Sequence, residues 1–337
     1  MTTPVLTFFN NKGGVGKTTL VYHLAWMFAD MGIRVLAVDL DPQSSLSAAF
    51  LDEERLEALW SDDAGVGTIH HSVRPLLDVG DFAPAELEHV GQNLALLPGH
   101  LGLANFEDEL SSNWTEVMGG NKARPFRVLT AFWRSAQEAA KRFEADLIVF
   151  DVGPNLGAIN RAALIGSDHV VVPLGGDLFS LQGLRNLGPT LRNWREGWRT
   201  RRASWHQPAF ELPAGEMAPI GYVAMRHGVR LTRPVKAYTR WLDQIPGAYR
   251  HSVLGEPAVS EHDVPPMIDD PHCLAMLKNY HSLMPLGQEA RRPIFALRPA
   301  DGAIGAHANA VREAHADFAA LAANIVTRDD PSAPPAD

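Results

Sequence analysis

Residues 10–19, N-N-K-G-G-V-G-K-T-T, constrain the fold of this chain more than any other stretch. An apolar run of the buried-strand type begins at Val5 and comes directly before them, and a helical apolar pattern follows. Three glycines allow a tight turn in which successive backbone N–H groups point inward. Because a strand, a glycine-rich turn and the positive end of a helix together hold phosphate groups, the stretch predicts a phosphate-binding loop.

The polar residues of this loop have predicted roles. Lys17 should reach the β- and γ-phosphates of a nucleoside triphosphate, and the Thr18 hydroxyl should bind Mg²⁺. The loop differs from the pattern G-x-x-x-x-G-K-[ST], because Asn11 stands at the first glycine position and a second lysine, Lys12, follows it. The predicted nucleotide contacts are Lys12, Gly13, Gly14, Val15, Gly16, Lys17, Thr18 and Thr19.

Three carboxylates follow predicted buried strands. Asp39 and Asp41 come after the predicted strand 34–38, in the order D-L-D-P-Q, and Asp151 comes after the apolar run 147–150. The carboxyl ends of parallel strands meet at one edge of an open α/β sheet, where such folds bind ligands. The run before Asp151 lacks alternation and so predicts a central parallel strand, with Asp151 holding Mg²⁺ directly or through water.

The K-G-G-V-G-K-T loop, the V-D-L-D-P-Q segment and the strand ending in Asp151 resemble those of the ParA/MinD ATPases, the deviant Walker A group. The resemblance implies that Lys12 reaches the phosphates of a second subunit across an ATP-bound dimer. It also implies that Asp41 activates the attacking water and that Asp39 supports the Mg²⁺ shell. In this group the base lies near the position of Pro293. The family's D-T-P-P segment is D-V-G-P here, so Val152 replaces a hydroxyl-bearing residue.

The order of predicted elements indicates an α/β fold: a doubly wound, mostly parallel sheet flanked by helices, as in P-loop NTPases, with extra helical decorations. We expect one domain over residues 1–328 and a disordered tail over 329–337. Residues 44–92 should form surface helices, and a closing helix is predicted over 303–326. The segments 51–92, 195–218 and 241–300 make the chain longer than a minimal relative, without a role that the residues reveal.

Arginines are concentrated between residues 192 and 233. Up to residue 202 they lie on a predicted helix whose inner face consists of Leu184, Leu187 and Leu191, which leaves the arginines mostly outward. The net charge of −9 argues against a surface that is basic throughout, but a local basic patch remains compatible with it. ParA proteins bind DNA non-specifically through basic residues in this half of the molecule, and a solvated arginine-rich face is the equal alternative. The candidate DNA-binding residues are Arg192, Arg195, Arg199, Arg201, Arg202, Arg230 and Arg233.

Composition restricts the cellular setting. Cys273 is the single cysteine, which excludes an internal disulfide framework and fits a reducing cytoplasm. No apolar run approaches the roughly 18 residues of a membrane span, and Met1 leads almost directly into a strand, so neither a membrane partner nor a signal peptide is expected.

The resemblance therefore implies a Mg²⁺-dependent ATPase switch that hydrolyses ATP slowly, with Lys12, Lys17 and Asp41 as its catalytic residues. It implies ATP-dependent homodimers that bind DNA non-specifically, position or segregate DNA or other cargo, and respond to a ParB-like or other activating protein. DNA binding would place the protein on the nucleoid. Two alternatives remain open: an ATP-dependent interaction scaffold without DNA binding, and a small-molecule ATP-dependent synthetase on the same fold.

Overall fold

The computed structural model describes residues 2–61, 67–78, 80–117, 123–206, 208–225, 241–257 and 264–329. Its strands are β1 (Val5–Phe8), β2 (Val35–Asp39), β3 (Glu88–Gly91), β4 (Leu94–Leu97), β5 (Leu147–Asp151), β6 (His169–Gly175), β7 (Ala218–Met225) and β8 (Cys273–Leu277). They form one eight-stranded sheet in the order β3-β4-β2-β5-β1-β6-β7-β8. The pairs are parallel except β3 with β4, which is antiparallel at one edge.

Helices cover both faces of this sheet. In the described residues they are α1 (Lys17–Asp30), α2 (Ser45–Phe50), α3 (Glu53–Trp60), α4 (Ile69–Val73), α5 (Glu107–Glu116), α6 (Ala123–Leu129), α7 (Ala131–Phe143), α8 (Ala158–Ile165), α9 (Leu178–Ser204), α10 (Ile245–Ala248), α11 (Met284–Ala290) and α12 (Ala306–Asp329). Tyr249–Leu254 continues α10 as a π-helical turn. Within the part of the chain that the structure describes, no helix has the length and apolar character needed to cross a membrane.

Alternate residues of each central strand supply two separate cores. In β5, Ile148 and Phe150 pack with α5, α7, α8 and α9 on one face, whereas Leu147 and Val149 pack with α1 and α12 on the other. Both faces of a parallel sheet are covered in this way, which explains why the strand sequences are apolar throughout. The predicted fold class, a doubly wound and mostly parallel sheet flanked by helices, is confirmed.

Two edge strands were not predicted from the sequence. β3 is a half-exposed strand in the segment 44–92, which we expected to be entirely helical. β8 has five residues within a proline-rich region and pairs only with β7 among the described strands. The segment 44–92 is also less superficial than expected, because Leu46, Ile69 and Leu76 are fully buried. Of the predicted tail, Asp329 ends α12 and residues 330–337 lie outside the described residues.

Candidate nucleotide-binding site

The predicted phosphate loop connects β1 to α1 at the carboxyl edge of the sheet. Gly14 and Gly16 have left-handed φ angles of 72° and 84°, backbone conformations that residues other than glycine rarely adopt. Gly16 is the residue before the first turn of α1, and a Cβ there would lie 3.2 Å from the Met225 methyl group at the end of β7. The start of α1 therefore offers its N-terminal backbone groups beside a tightly turned loop, as anion binding requires.

A cavity of about 660 Å³ opens beside this loop. The predicted residues that line it are Gly13, Gly14, Gly16, Lys17, Thr18, Thr19 and Asp41. Sequence reasoning missed the remaining lining residues: Tyr22, His23, Ser45, Ala48, Ala49, Pro154, Met284, Gly287, Gln288, Arg291, Arg292 and Ile294. Val15 is buried, and Pro293 is buried between two lining residues. The volume lies within the usual range of small-molecule sites.

The carboxylates of Asp39 and Asp151 are neighbours on β2 and β5, and both residues are fully buried. The Ser47 amide and hydroxyl donate to Oδ2 of Asp39 at 2.8 and 2.7 Å. Both carboxylate oxygens of Asp151 are buried without a hydrogen-bond partner. A buried carboxylate without hydrogen bonds destabilises the fold unless a cation neutralises it or a proton binds to it.

This arrangement fits Mg²⁺, whose preferred ligands are hard oxygens. Asp151 offers two buried oxygens, and the neighbouring Thr18 lines the cavity, so these two residues would hold the ion. Asp39 is already bound to Ser47 through one oxygen. When bound, the ion would neutralise charge on the phosphates.

The charges of the site perturb each other. Burial, with the nearby Asp39 carboxylate, raises the pKa of Asp151 well above its usual value. Burial also lowers the pKa of Lys17, although the Asp151 and Asp41 carboxylates oppose this shift. Lys17 Nζ donates to the backbone oxygen of Lys12 at 3.4 Å, so its ammonium group lies beside the first residues of the loop. Without phosphate and metal, this cluster is electrostatically unfavourable.

We therefore expect Asp151→Asn to stabilise the ligand-free protein at pH 8, by on the order of 2 kcal/mol in the free energy of unfolding, because a buried unpaired charge costs more free energy than a buried neutral amide. The folded-state pKa of Asp151 is raised, so the folded protein binds more protons than the unfolded chain, and wild-type stability falls as the pH rises. The gain should therefore be smaller at pH 5 than at pH 8, because a larger fraction of the folded wild-type carboxyl is protonated at the lower pH. Urea unfolding in EDTA measures this, with the exposed Asp30→Asn as control; an equal effect at both pH values would contradict it.

Lys12 forms an ion pair within its own subunit. Its Nζ lies 2.5 Å from Oδ2 of Asp177 and 5.8 Å from the centre of the Phe179 ring. Asp177 also caps α9, because its Oδ1 accepts from the Ser180 amide at 3.0 Å. Burial favours the neutral acid, but the Lys12 contact and the Ser180 amide outweigh it and lower the pKa of Asp177. The sequence signal for this partner is the aspartate at the start of a predicted helix.

The candidate DNA-binding arginines divide into two groups. Arg199 and Arg202 are exposed, as predicted. The outward orientation predicted for three others is wrong, because their guanidinium groups bind backbone oxygens: Arg192 those of Ser252 and Val253, Arg195 that of Met217, and Arg201 that of Trp114. Backbone oxygens near the ends of helices and strands lack backbone partners and accept hydrogen bonds from guanidinium groups. Helical periodicity does not predict these contacts. Arg230 and Arg233 lie outside the described residues.

Comparison with known sequences identifies the family. Residues 3–201, more than half of the chain, match AAA_31, described as an AAA domain. The chain belongs to this family. Protein IncC of Escherichia coli is 29% identical to this AAA_31 chain over 195 residues, which are 58% of this chain and 47% of IncC. Sporulation initiation inhibitor protein Soj of Bacillus subtilis is 31% identical over 188 residues, 56% of this chain and 64% of Soj.

These matches confirm the predicted membership of the ParA/MinD group. The chain spans about half to two thirds of the length of these relatives. A Corynebacterium diphtheriae protein shares the fold of this AAA_31 chain, with a TM-score of 0.70 and 24% identity over 97% of this chain and 99% of that one. A putative plasmid partition protein of Borrelia burgdorferi, solved with AMPPNP, has a TM-score of 0.57 and 17% identity over 97% and 100% of the two chains.

Proposed function

We propose that this chain is a Mg²⁺-dependent ATPase switch of the ParA type. The observation that carries the proposal is the pair of unpaired, buried Asp151 oxygens, which lie beside the cavity residues Lys17, Thr18 and Asp41. Cations and phosphates would supply the partners that these groups lack. A protein of the same fold solved with AMPPNP supports a nucleoside triphosphate as the ligand. We also propose that residues 1–328 form a single domain, in agreement with the single sheet.

The catalysis that we propose consists of positioning and charge neutralisation. Lys17 and the loop amides bind the phosphates, Thr18 and Asp151 hold Mg²⁺, and Asp39 supports the shell of the ion. Asp41 orients the attacking water. Lys12 leaves Asp177 and reaches the phosphates of a second subunit, so hydrolysis requires the ATP-bound homodimer. Slow hydrolysis suits a switch that an activating protein, ParB-like or other, resets.

The ATP-bound dimer would bind DNA non-specifically and position or segregate DNA or other cargo on the nucleoid. Arg199 and Arg202 are the described candidates best placed for phosphate contacts, because their side chains are exposed near the end of α9. Arg192, Arg195 and Arg201 would need to leave their carbonyl partners before they could contribute.

A gel shift with random duplex DNA tests this function. We expect Asp41→Ala, which should bind ATP without hydrolysing it, to shift DNA in low salt only when ATP is present. Arg199→Ala/Arg202→Ala should weaken this binding several-fold and reduce the salt slope by about two, one for each lost phosphate contact. In the protein that retains Asp41, the same double substitution should leave basal phosphate release unchanged.

Arg298→Ala/Arg312→Ala is the matched control, because it removes the same charge from two exposed arginines elsewhere. Equal loss of affinity in both double variants would mean that overall charge, not the end of α9, governs binding. Absence of any ATP-dependent shift with Asp41→Ala would show that the DNA-binding part of the proposal is wrong.

A second candidate is an ATP-dependent interaction scaffold that does not bind DNA. It is favoured by the internal hydrogen bonds of Arg192, Arg195 and Arg201 and by the net charge of −9. ATP-dependent dimers that fail to shift DNA in low salt would support it.

A further inference from the structure

His23 occupies a buried position between the phosphate loop and the last third of the chain. It lies on α1, six residues after Lys17, lines the cavity, and is 2% exposed. Its Nδ1 is 2.7 Å from the Thr19 carbonyl oxygen, and its Nε2 is 3.2 Å from the Ile294 amide nitrogen. The amide can only donate, so Nε2 accepts, and Nδ1 carries the proton and donates to Thr19.

Packing holds the ring in this orientation. The imidazole stacks on Phe318 of α12, with ring centres 5.0 Å apart and planes 21° apart, and it meets the edge of Phe295 at 6.0 Å. Burial lowers the pKa of His23 to about 4, so the ring is neutral at physiological pH. One side chain therefore joins three segments: α1, the residues around Ile294, and α12.

The segment that His23 holds lines the cavity at a distance from the phosphate loop, because six residues of α1, a rise of about 9 Å, separate Lys17 from His23. Met284, Gly287 and Gln288 of α11 line the cavity, followed by Arg291, Arg292 and Ile294. Arg291 has a left-handed φ of 49°, unusual for a residue other than glycine, and the Arg292 amide donates to the Gly287 oxygen at 3.0 Å. The left-handed residue and this hydrogen bond end α11 in the way common for helix C-termini, and the His23–Ile294 hydrogen bond holds the chain three residues further on.

We infer that His23 is a positioning residue for the nucleoside end of the site, tying residues 291–294 to the helix that binds the phosphates. The inference rests on the proposed function, because it requires a nucleoside triphosphate in this cavity. Lys17 and the loop amides contact only the phosphates. The base and ribose are left to the chain segment from α11 to Ile294, and His23 sets the distance between the two halves.

The test compares a full nucleotide with its phosphate part alone. His23→Phe keeps a ring for Phe318 but removes both hydrogen bonds, whereas the amide oxygen of His23→Gln can still accept from Ile294. We expect His23→Phe to weaken Mg²⁺-ATP binding about tenfold, the effect of one to two hydrogen bonds, and to change binding of inorganic tripolyphosphate less than twofold. His23→Gln should remain within about threefold of wild type for both ligands. Isothermal titration calorimetry gives all the affinities.

If His23→Phe fails to fold, Arg291→Gly tests the same segment of the cavity independently. Glycine accepts the left-handed φ while the lining side chain is removed, so the same selective loss of ATP affinity is expected. Equal weakening of ATP and tripolyphosphate, or unchanged affinity for both, would overturn the positioning role while the proposed ATP site stands. A wild-type protein that binds neither ligand would overturn the proposed function, and the role of His23 with it.

Discussion

Lys12→Ala should lower the rate of ATP hydrolysis in the activated dimer by about a thousandfold or more, the range found when a cation supplied to the phosphates is removed. ATP affinity should stay within about threefold of wild type. The reason is that Lys17 and the loop amides remain, while Lys12 Nζ binds Asp177 in the free subunit and not the cavity. Sedimentation velocity with ATP and phosphate-release assays measure dimerisation and turnover separately.

Asp177→Asn is the matched control for this experiment. Asparagine is as good a helix N-cap as aspartate, so α9 keeps its start while the charge that holds Lys12 is removed. We expect this variant to dimerise at equal or lower ATP concentration and to retain hydrolysis. If Lys12→Ala dimerises and hydrolyses like wild type, the cross-dimer role of Lys12 is wrong, and its ion pair with Asp177 serves only to hold the loop against α9.

Much of the fold follows from local sequence. The strands β1, β2, β5 and β6 are mostly apolar and are buried on both faces over nearly their whole length, so their sequence pattern depends on neighbouring residues alone. β3 and β8 differ because they are short edge strands whose pairing depends on distant partners. Glu88 pairs with Leu96, and Tyr222 with Cys273, and neither pairing leaves a period in the sequence.

The site divides in the same way. The phosphate loop is one contiguous stretch with a recognisable spacing, so its residues could be named from the sequence. Asp177, His23 and Arg291 depend on contacts across many residues, including the His23–Ile294 hydrogen bond, which spans 271 positions. For Arg192, Arg195 and Arg201, helical spacing predicted exposure, but nearby carbonyl oxygens determined the orientation of the side chains.

Gly188→Ala is expected to destabilise the folded protein by at least about 3 kcal/mol, or to prevent folding. A Cβ at this position would lie 1.7 Å from the backbone oxygen of Ser252, in the π-helical turn that packs on α9. Backbone atoms cannot rotate away as a side chain can, so α9 and the turn would have to separate. That separation would also break the bond between Arg192 Nη1 and the Ser252 oxygen. Urea unfolding of the purified variant measures the loss.

Gly247→Ala makes the same substitution in α10, just before the π-helical turn that packs on α9. Among the residues that the structure describes, the added Cβ would contact Val264 alone, at an ordinary distance of 3.6 Å. We expect no loss and up to about 1 kcal/mol of gain, because alanine restricts the unfolded chain and favours helix. A Gly188→Ala protein within about 0.5 kcal/mol of wild type would contradict the prediction. It would mean that α9, which carries both the Asp177 cap and the exposed arginines, can shift relative to the turn at little cost.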